Sequence, residues 1–251
     1  MNKLMAANWK MYKTAAEAAA TARELAALLG GRAPEGRDVL ICPPYTAIAA
    51  AAEALRDLPG LRVGAQNIYP EEEGAFTGEI APAMLRDAGA SWVLTGHSER
   101  RHILDEDDAL VGRKTAFALA HGLGVVLCVG ETLPQREAGQ LADVLRRQLE
   151  TGLADVSENL PAECLAVAYE PVWAIGTGKV AGPGEIEEAH AMTRAALEAR
   201  FGGKGREIRI LYGGSVKPDN ASAILRLDNV DGVLVGGASL KAESFARIIN
   251  A

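Results

Sequence analysis

The run Gly124-Val-Val-Leu-Cys-Val129 carries no polar side chain, and segments of a different texture flank it: Asp107–His121 before and Gln135–Leu153 after. A strand with one wet face alternates apolar and polar residues. A strand covered on both faces reads as an unbroken apolar run, the mark of a parallel sheet. The flanks are rich in Ala, Leu, Glu and Arg, with apolar residues at helical spacing. The two textures keep alternating outward. Further apolar runs are Leu4–Trp9, Val39–Cys42, Leu61–Gln66, Trp92–Thr95, Leu165–Glu170, Ile208–Tyr212 and Gly232–Val235. Further helical segments are Ala15–Leu29, Ala47–Leu58, Ala81–Ala88, Gly184–Phe201, Asp219–Leu227 and Leu240–Asn250, with Pro82 suited to a first turn. Eight strands alternating with eight helices in 251 residues fit a closed (β/α)8 barrel in a single domain, residues 1–251. A doubly wound open sheet is the alternative, since periodicity does not report closure. No linker or composition shift marks a second domain.

Composition narrows the class. With 49% hydrophobic residues the chain has enough apolar surface for a large core. Acidic residues outnumber basic ones, 33 to 26, for a formal charge of -7. That balance argues against binding nucleic acid or an anionic membrane surface, yet allows a small anion held by a local site. The three cysteines, Cys42, Cys128 and Cys164, lack C-x-x-C spacing and fit neither a disulfide framework nor a zinc site. Each lies in a short apolar run, so buried reduced thiols are expected. Met1–Met11 holds no apolar run leading to a small-residue cleavage site, and no stretch reaches the ~20 apolar residues of a membrane span. The expectation is a soluble cytoplasmic enzyme.

In parallel α/β proteins chemistry gathers beyond the C-terminal ends of the strands. Those positions hold Asn8–Lys10, Gly96–Arg100, Glu170–Lys179, Tyr212–Ser215 and Gly236–Gly237. Lys10 places a cation there, suited to a phosphate or a developing oxyanion; a solvated surface lysine is the ordinary alternative. His97 precedes a helix start, and a helix N-terminus disfavours imidazolium, leaving a neutral ring able to donate to a carbonyl. Ser98 and Glu99 also read as plain helix-start residues. His102, His121 and His190 fall in or at the ends of helices and read as structural. Glu170 ends an apolar strand, where desolvation is expected to raise its pKa and strengthen it as a base. An ion pair at the sheet rim is the alternative.

Pro171 bars helix directly after Glu170. The loop Pro171, Val172, Trp173, Ala174, Ile175, Gly176, Thr177, Gly178, Lys179 is apolar in its middle, which suits a lid over a substrate or a loop packed permanently on a neighbour. Its glycine spacing fits neither a dinucleotide fingerprint nor a P-loop. The glycine pairs of Tyr212-Gly-Gly-Ser215 and Gly236–Gly237 let backbone N–H groups approach a ligand, and a helix N-terminus behind them favours an anion. Phosphate sites in barrels often use these last two loops. Tight turns are the alternative.

Together, Asn8-Trp-Lys-Met11, Gly96-His-Ser-Glu-Arg-Arg101, Tyr169-Glu-Pro-Val-Trp-Ala-Ile-Gly-Thr-Gly-Lys179, Tyr212-Gly-Gly-Ser215 and Gly232-Val-Leu-Val-Gly-Gly237 resemble the triosephosphate isomerase family over the whole chain. The resemblance implies a TIM barrel that interconverts dihydroxyacetone phosphate and glyceraldehyde 3-phosphate through an enediolate, with no cofactor and no metal. It implies Glu170 as general base, a neutral His97 as electrophile, Lys10 at the enediolate charge, Asn8 as a positioning group and Glu99 in the same cluster. It assigns the phosphate to Gly176, Gly236, Gly237 and Ser215, and the lid latch to Tyr212 and Ser215. The long loop 67–79 would enter a second subunit of a homodimer and bring Thr77 near the partner's Lys10; a flexible acidic surface loop is the alternative. Tyr12 and Val180 depart from the family's usual Asn and Thr. Two other readings stay open: a barrel acting on a larger sugar phosphate, and an inactive binding module. Turnover of a three-carbon substrate discriminates both.

Overall fold

The computed structural model describes residues 1–174 and 180–251. Its strands are β1 (Lys3–Asn8), β2 (Arg37–Cys42), β3 (Leu61–Ala65), β4 (Trp92–Thr95), β5 (Gly124–Val129), β6 (Leu165–Tyr169), β7 (Arg209–Tyr212) and β8 (Gly232–Val235). All pair in parallel, in chain order, around a closed barrel. β1 closes on β8, with Leu4 opposite Gly232 and Ala7 opposite Val235. Closure rules out the doubly wound sheet; the fold is the (β/α)8, or TIM, barrel.

The two-faced burial that makes the strands read as unbroken apolar runs is visible in two separate cores. Alternate residues, among them Leu4, Ala6, Leu40, Trp92, Leu94, Val126, Ala166, Ala168, Leu211 and Leu234, fill the barrel interior. Their neighbours, among them Met5, Ile41, Val93, Leu127, Val167, Ile210 and Val233, point outward against Leu25, Leu85, Leu149, Leu197 and Phe245 of the helices. Period-two alternation thus divides each strand between two dry environments.

The helices are α1 (Ala15–Leu28), α2 (Ile48–Ala54), α3 (Pro82–Asp87), α4 (Ser98–His102), α5 (Asp108–Ala120), α6 (Leu133–Glu137), α7 (Leu141–Gly152), α8 (Pro183–Phe201), α9 (Ala221–Leu225) and α10 (Ala242–Ile249). Starts follow local chemistry. Thr14 and Glu17 form a reciprocal capping box on α1, and Asp107 Oδ1 accepts from Leu110 N at 2.7 Å on α5. Among the described residues two helices exceed the eight expected. One is the short α4. The other arises because Gln135–Leu153 is cut at Gly139, whose φ of 68° lies in the left-handed region. There Gln140 N bonds Gln135 O at 2.9 Å and Gly139 N bonds Arg136 O at 3.0 Å, the Schellman ending that stops α6 before α7 begins.

Cys42 and Cys128 are buried in the barrel interior, and burial pushes both thiols above their usual pKa. Cys164 is only partly buried, contrary to expectation, because it lies in a short turn before β6 and outside the apolar run itself. No helix among the described residues is long and apolar enough to cross a membrane.

Candidate active site

The alternation that fills the barrel also selects what reaches its mouth. Ala166 and Ala168 point inward, and two residues on Glu170 takes the same side. Leu4 and Ala6 lead likewise to Asn8, Leu211 to Gly213 and Leu234 to Gly236. A cleft of about 250 Å³ opens there, and Asn8, Lys10, His97, Glu170, Ser215, Gly236 and Gly237 all line it. Ala174 is the described lid residue on its wall. Gly176, with the rest of 175–179, lies outside the described residues.

Lys10 has φ 50°, a left-handed angle uncommon for a residue with a side chain. Hydrogen bonds on both sides hold it: Lys10 N donates to Asn8 Oδ1 at 2.9 Å, and Gln66 Nε2 donates to Lys10 O at 2.8 Å. Asn8 acts here through the backbone of Lys10. The Lys10 ammonium meets Glu99 Oε1 at 2.6 Å, so the two form one cluster. Trp9 Nε1 donates to Ser239 O at 3.1 Å, tying this first loop to the β8 loop that carries Gly236 and Gly237.

His97 is the N-cap of α4, and its Nδ1 accepts from Glu99 N at 3.3 Å. An accepting Nδ1 places the ring proton on Nε2, which faces Glu170 Oε1 at 3.1 Å. The second carboxylate oxygen, Oε2, accepts from Ser98 N at 2.8 Å. Both side chains are buried, His97 at 6% exposure and Glu170 at 2%. Burial pushes the Glu170 pKa up, but His97, the Ser98 N–H and Lys10 together outweigh it and bring the carboxyl below its usual range. The expected rise therefore does not occur in this arrangement, because the carboxylate is parked on two donors. Burial also drives His97 towards the neutral ring, while Glu170 pulls its pKa above the usual value. Glu99 Oε2, 3.6 Å from Nδ1, adds to that pull, while the N-cap contact opposes it because a second proton on Nδ1 would face the Glu99 N–H.

The glycine pair after β7 is dictated by space. A Cβ at Gly213 would lie 2.9 Å from Glu170 Cγ, and one at Gly214 would lie 2.2 Å from the Tyr212 hydroxyl. No helix start stands directly behind this pair, contrary to expectation: α9 begins only at Ala221. The pair after β8 does open a helical turn, the 3-10 segment Gly237–Leu240, whose first N–H groups have no intrahelical partner. Tyr212 does not line the cleft. Its hydroxyl is buried beneath the loop without a hydrogen bond among the described residues, and burial raises it to about 12. The backbone groups of Ala181 and Ser215 moderate that rise.

A buried carboxylate against an imidazole, a lysine near them and glycines in the same wall therefore share one cleft. The triosephosphate isomerase family model matches residues 3–251. The chain belongs to the triosephosphate isomerase family. The triosephosphate isomerase of Nitratidesulfovibrio vulgaris is 65% identical over 249 residues, covering 99% of each chain. That of Chloroflexus aurantiacus is 50% identical over 248 residues, covering 98% of each. The crystal structure of triosephosphate isomerase from Bartonella henselae superposes with a TM-score of 0.89 at 40% identity, over 100% of this chain and 98% of that one. Membership makes the protein an isomerase.

Two residues of this isomerase's site were not singled out from sequence. Gln66, one residue past β3, donates to Lys10 O and to Cys42 O at 2.9 Å. Glu131, two residues past β5, is fully buried, and its Oε1 accepts from Tyr169 OH at 3.0 Å and Trp173 Nε1 at 2.8 Å. It anchors the described start of the lid. Burial raises its pKa, against which those donors act. Position just beyond a strand end was the available signal for both. Thr77 is exposed on the loop after β3. Among the described residues no group of three or more His, Cys, Asp or Glu side chains is placed to hold a metal ion.

Proposed function

We propose that the protein, as one catalytic domain over residues 1–251, interconverts dihydroxyacetone phosphate and D-glyceraldehyde 3-phosphate by proton transfer through an enediolate. The observation that carries this reading is Glu170 held at 2.8 Å by Ser98 N and at 3.1 Å by His97 Nε2 in the wall of the cleft. To act, Glu170 leaves these donors and turns to the substrate. Without the Ser98 N–H and the His97 contact, less opposes the effect of burial, so its pKa rises and it becomes a stronger base. The same departure frees the Nε2–H of His97 to polarise the substrate carbonyl. Glu170 removes a proton from the carbon beside that carbonyl; the C–H electron pair becomes the carbon–carbon double bond as the carbonyl π pair moves onto its oxygen. A proton then passes from the neighbouring hydroxyl oxygen to that oxygen through the His97 ring, and Glu170 returns its proton to the former carbonyl carbon as the second carbonyl forms. Lys10 stabilises the enediolate oxygen, with Asn8 setting its backbone and Glu99 its ammonium.

The phosphate is assigned to the N–H groups of Gly236, Gly237 and Gly176 and to Ser215. The lid, Pro171, Val172, Trp173, Ala174, Ile175, Gly176, Thr177, Gly178 and Lys179, would close over it, latched by Tyr212 and Ser215, and exclude water that favours phosphate loss. The buried Tyr212 hydroxyl, with the backbone groups of Ala181 and Ser215 acting on it, supports a latch to the lid's C-terminal end. We also read the protein as a cytoplasmic homodimer, with Thr77 crossing to the partner. Supporting this, Met11, Tyr12, Tyr45, Phe76, Ile103 and Leu104 are all exposed on the loops after the neighbouring strands β1 to β4. Light scattering that finds an active monomer at working concentration refutes the dimer.

The test of function is turnover of D-glyceraldehyde 3-phosphate by the purified protein, coupled to glycerol-phosphate dehydrogenase, in chelator-treated buffer. Rapid turnover is expected with no addition to the enzyme. A folded protein that binds inorganic phosphate without turnover favours the binding module instead.

A further inference from the structure

Among the described residues two lysines and a histidine line the cleft, and the chemistry uses Lys10 and His97. Lys10 is paired with Glu99 at 2.6 Å, and His97 faces Glu170 at 3.1 Å. The third, Lys217, is exposed and has no carboxylate partner within 4.0 Å among the described residues. Its backbone is nonetheless fixed. Lys217 N donates to Asn220 Oδ1 at 2.7 Å, its carbonyl accepts from Ala221 N at 3.0 Å, and Asn220 Nδ2 donates to Ser215 O at 3.0 Å. The lysine is thus rooted two residues from Ser215, its ammonium without a carboxylate among the described residues.

The surroundings give that ammonium a task. The whole protein carries a formal charge of -7 and repels a doubly charged anion at long range. An unpaired cation at the mouth of a low-dielectric cleft focuses the field locally and raises the arrival rate of an anion. A carboxylate partner would cancel that effect, and Lys217 has none among the described residues. We propose that Lys217 is a substrate-steering residue: it captures the phosphate group of the incoming substrate at the rim and hands it to the glycine cradle, taking no part in proton transfer. The proposal rests on reading the cleft as a phosphate site. A merely solvating lysine would occupy the same position without influencing how association depends on salt.

The experiment compares wild type, Lys217→Gln and Lys217→Arg for turnover of glyceraldehyde 3-phosphate from low salt to ~0.5 M, where charges are screened within a few ångströms. For Lys217→Gln the expected result is a kcat/KM about three- to tenfold lower at low salt, a much smaller change in kcat, and a gap that closes as salt rises. Weaker inhibition by inorganic phosphate accompanies it, the rate with phosphate-free glyceraldehyde does not follow the loss, and Lys217→Arg recovers most of it. Equal kcat/KM and equal salt dependence in wild type and Lys217→Gln overturn the proposal. So does an equal loss in kcat and kcat/KM that persists at high salt, since that marks a structural role. Failure of the phosphate-site reading is distinct: it shows in the wild type alone, as no turnover and no inhibition by inorganic phosphate.

Discussion

Replacing Gly213 by alanine adds one methyl group behind the proposed base. Its Cβ would lie 2.9 Å from Glu170 Cγ and 3.2 Å from Tyr169 O, where ordinary contacts begin at 3.4 Å. Gly213 has no positive φ, so the cost is steric and not one of backbone angle. Gly213 N donates to Tyr169 O at 2.8 Å, so the loop cannot back away without losing a hydrogen bond between neighbouring strand ends. The shortfall of about half an ångström therefore falls on Glu170, whose displacement perturbs the proton-transfer geometry. Misplacement of that order costs up to ~10²-fold in rate, or about 2.7 kcal/mol of barrier. Overpacking of this kind costs about 1–3 kcal/mol of stability. The assay is kcat on glyceraldehyde 3-phosphate for Gly213→Ala beside wild type, with denaturant unfolding to confirm the folded state. A fall in kcat of about tenfold to a hundredfold is expected, with KM changed much less. A folded Gly213→Ala with kcat within twofold of wild type refutes the claim that this glycine exists to seat the base.

Gln66→Ala removes the donor that holds the left-handed Lys10 through its carbonyl at 2.8 Å; a loss of about 1–2 kcal/mol of stability and a several-fold drop in kcat are expected from unfolding midpoints and steady-state rates. His190 sets an acid limit on stability. It is fully buried, its Nδ1 is 2.9 Å from Asn229 O, and burial lowers its pKa to about 4. Between that value and the usual ~6.5 the unfolded chain takes up a proton that the folded one refuses. Stability therefore falls as pH drops through this window and levels off below it, by about 3 kcal/mol in all. Denaturant midpoints at neutral pH and near pH ~4.5 measure the slope, which His190→Gln should flatten. An unchanged slope in that variant contradicts the assignment.

The fold was legible because the burial pattern is uniform. Gly124–Val129 is buried at every position, and so are Trp92–Thr95 and Leu165–Tyr169, which is what an unbroken apolar run encodes. Boundaries were less so. Arg37 and Asp38 belong to β2 although they are polar, because Asp38 pairs with the buried Arg209 at 2.9 Å at the other end of the barrel. The break between α6 and α7 needed the left-handed angle of Gly139, which helical periodicity on either side conceals.

At the site, Asn8, Lys10, His97 and Glu170 were readable because each stands at or just past a strand end. The direction of the Glu170 pKa was not. Its burial follows from the apolar strand, but the Ser98 N–H and His97 that outweigh burial come from another strand's loop. Gln66 and Glu131 escaped for the same reason: their partners, Lys10, Tyr169 and Trp173, are distant in sequence, and neither residue belongs to a motif of its own.

The most direct test of the central claim is the rate of glyceraldehyde 3-phosphate isomerisation by Glu170→Gln, which keeps the side chain's shape and removes its basicity. The account predicts a fall of at least ~10²–10⁴-fold in kcat, the usual worth of a placed general base, in a protein that unfolds cooperatively like wild type. A folded Glu170→Gln with near-normal turnover would contradict it and assign the proton transfer to another group.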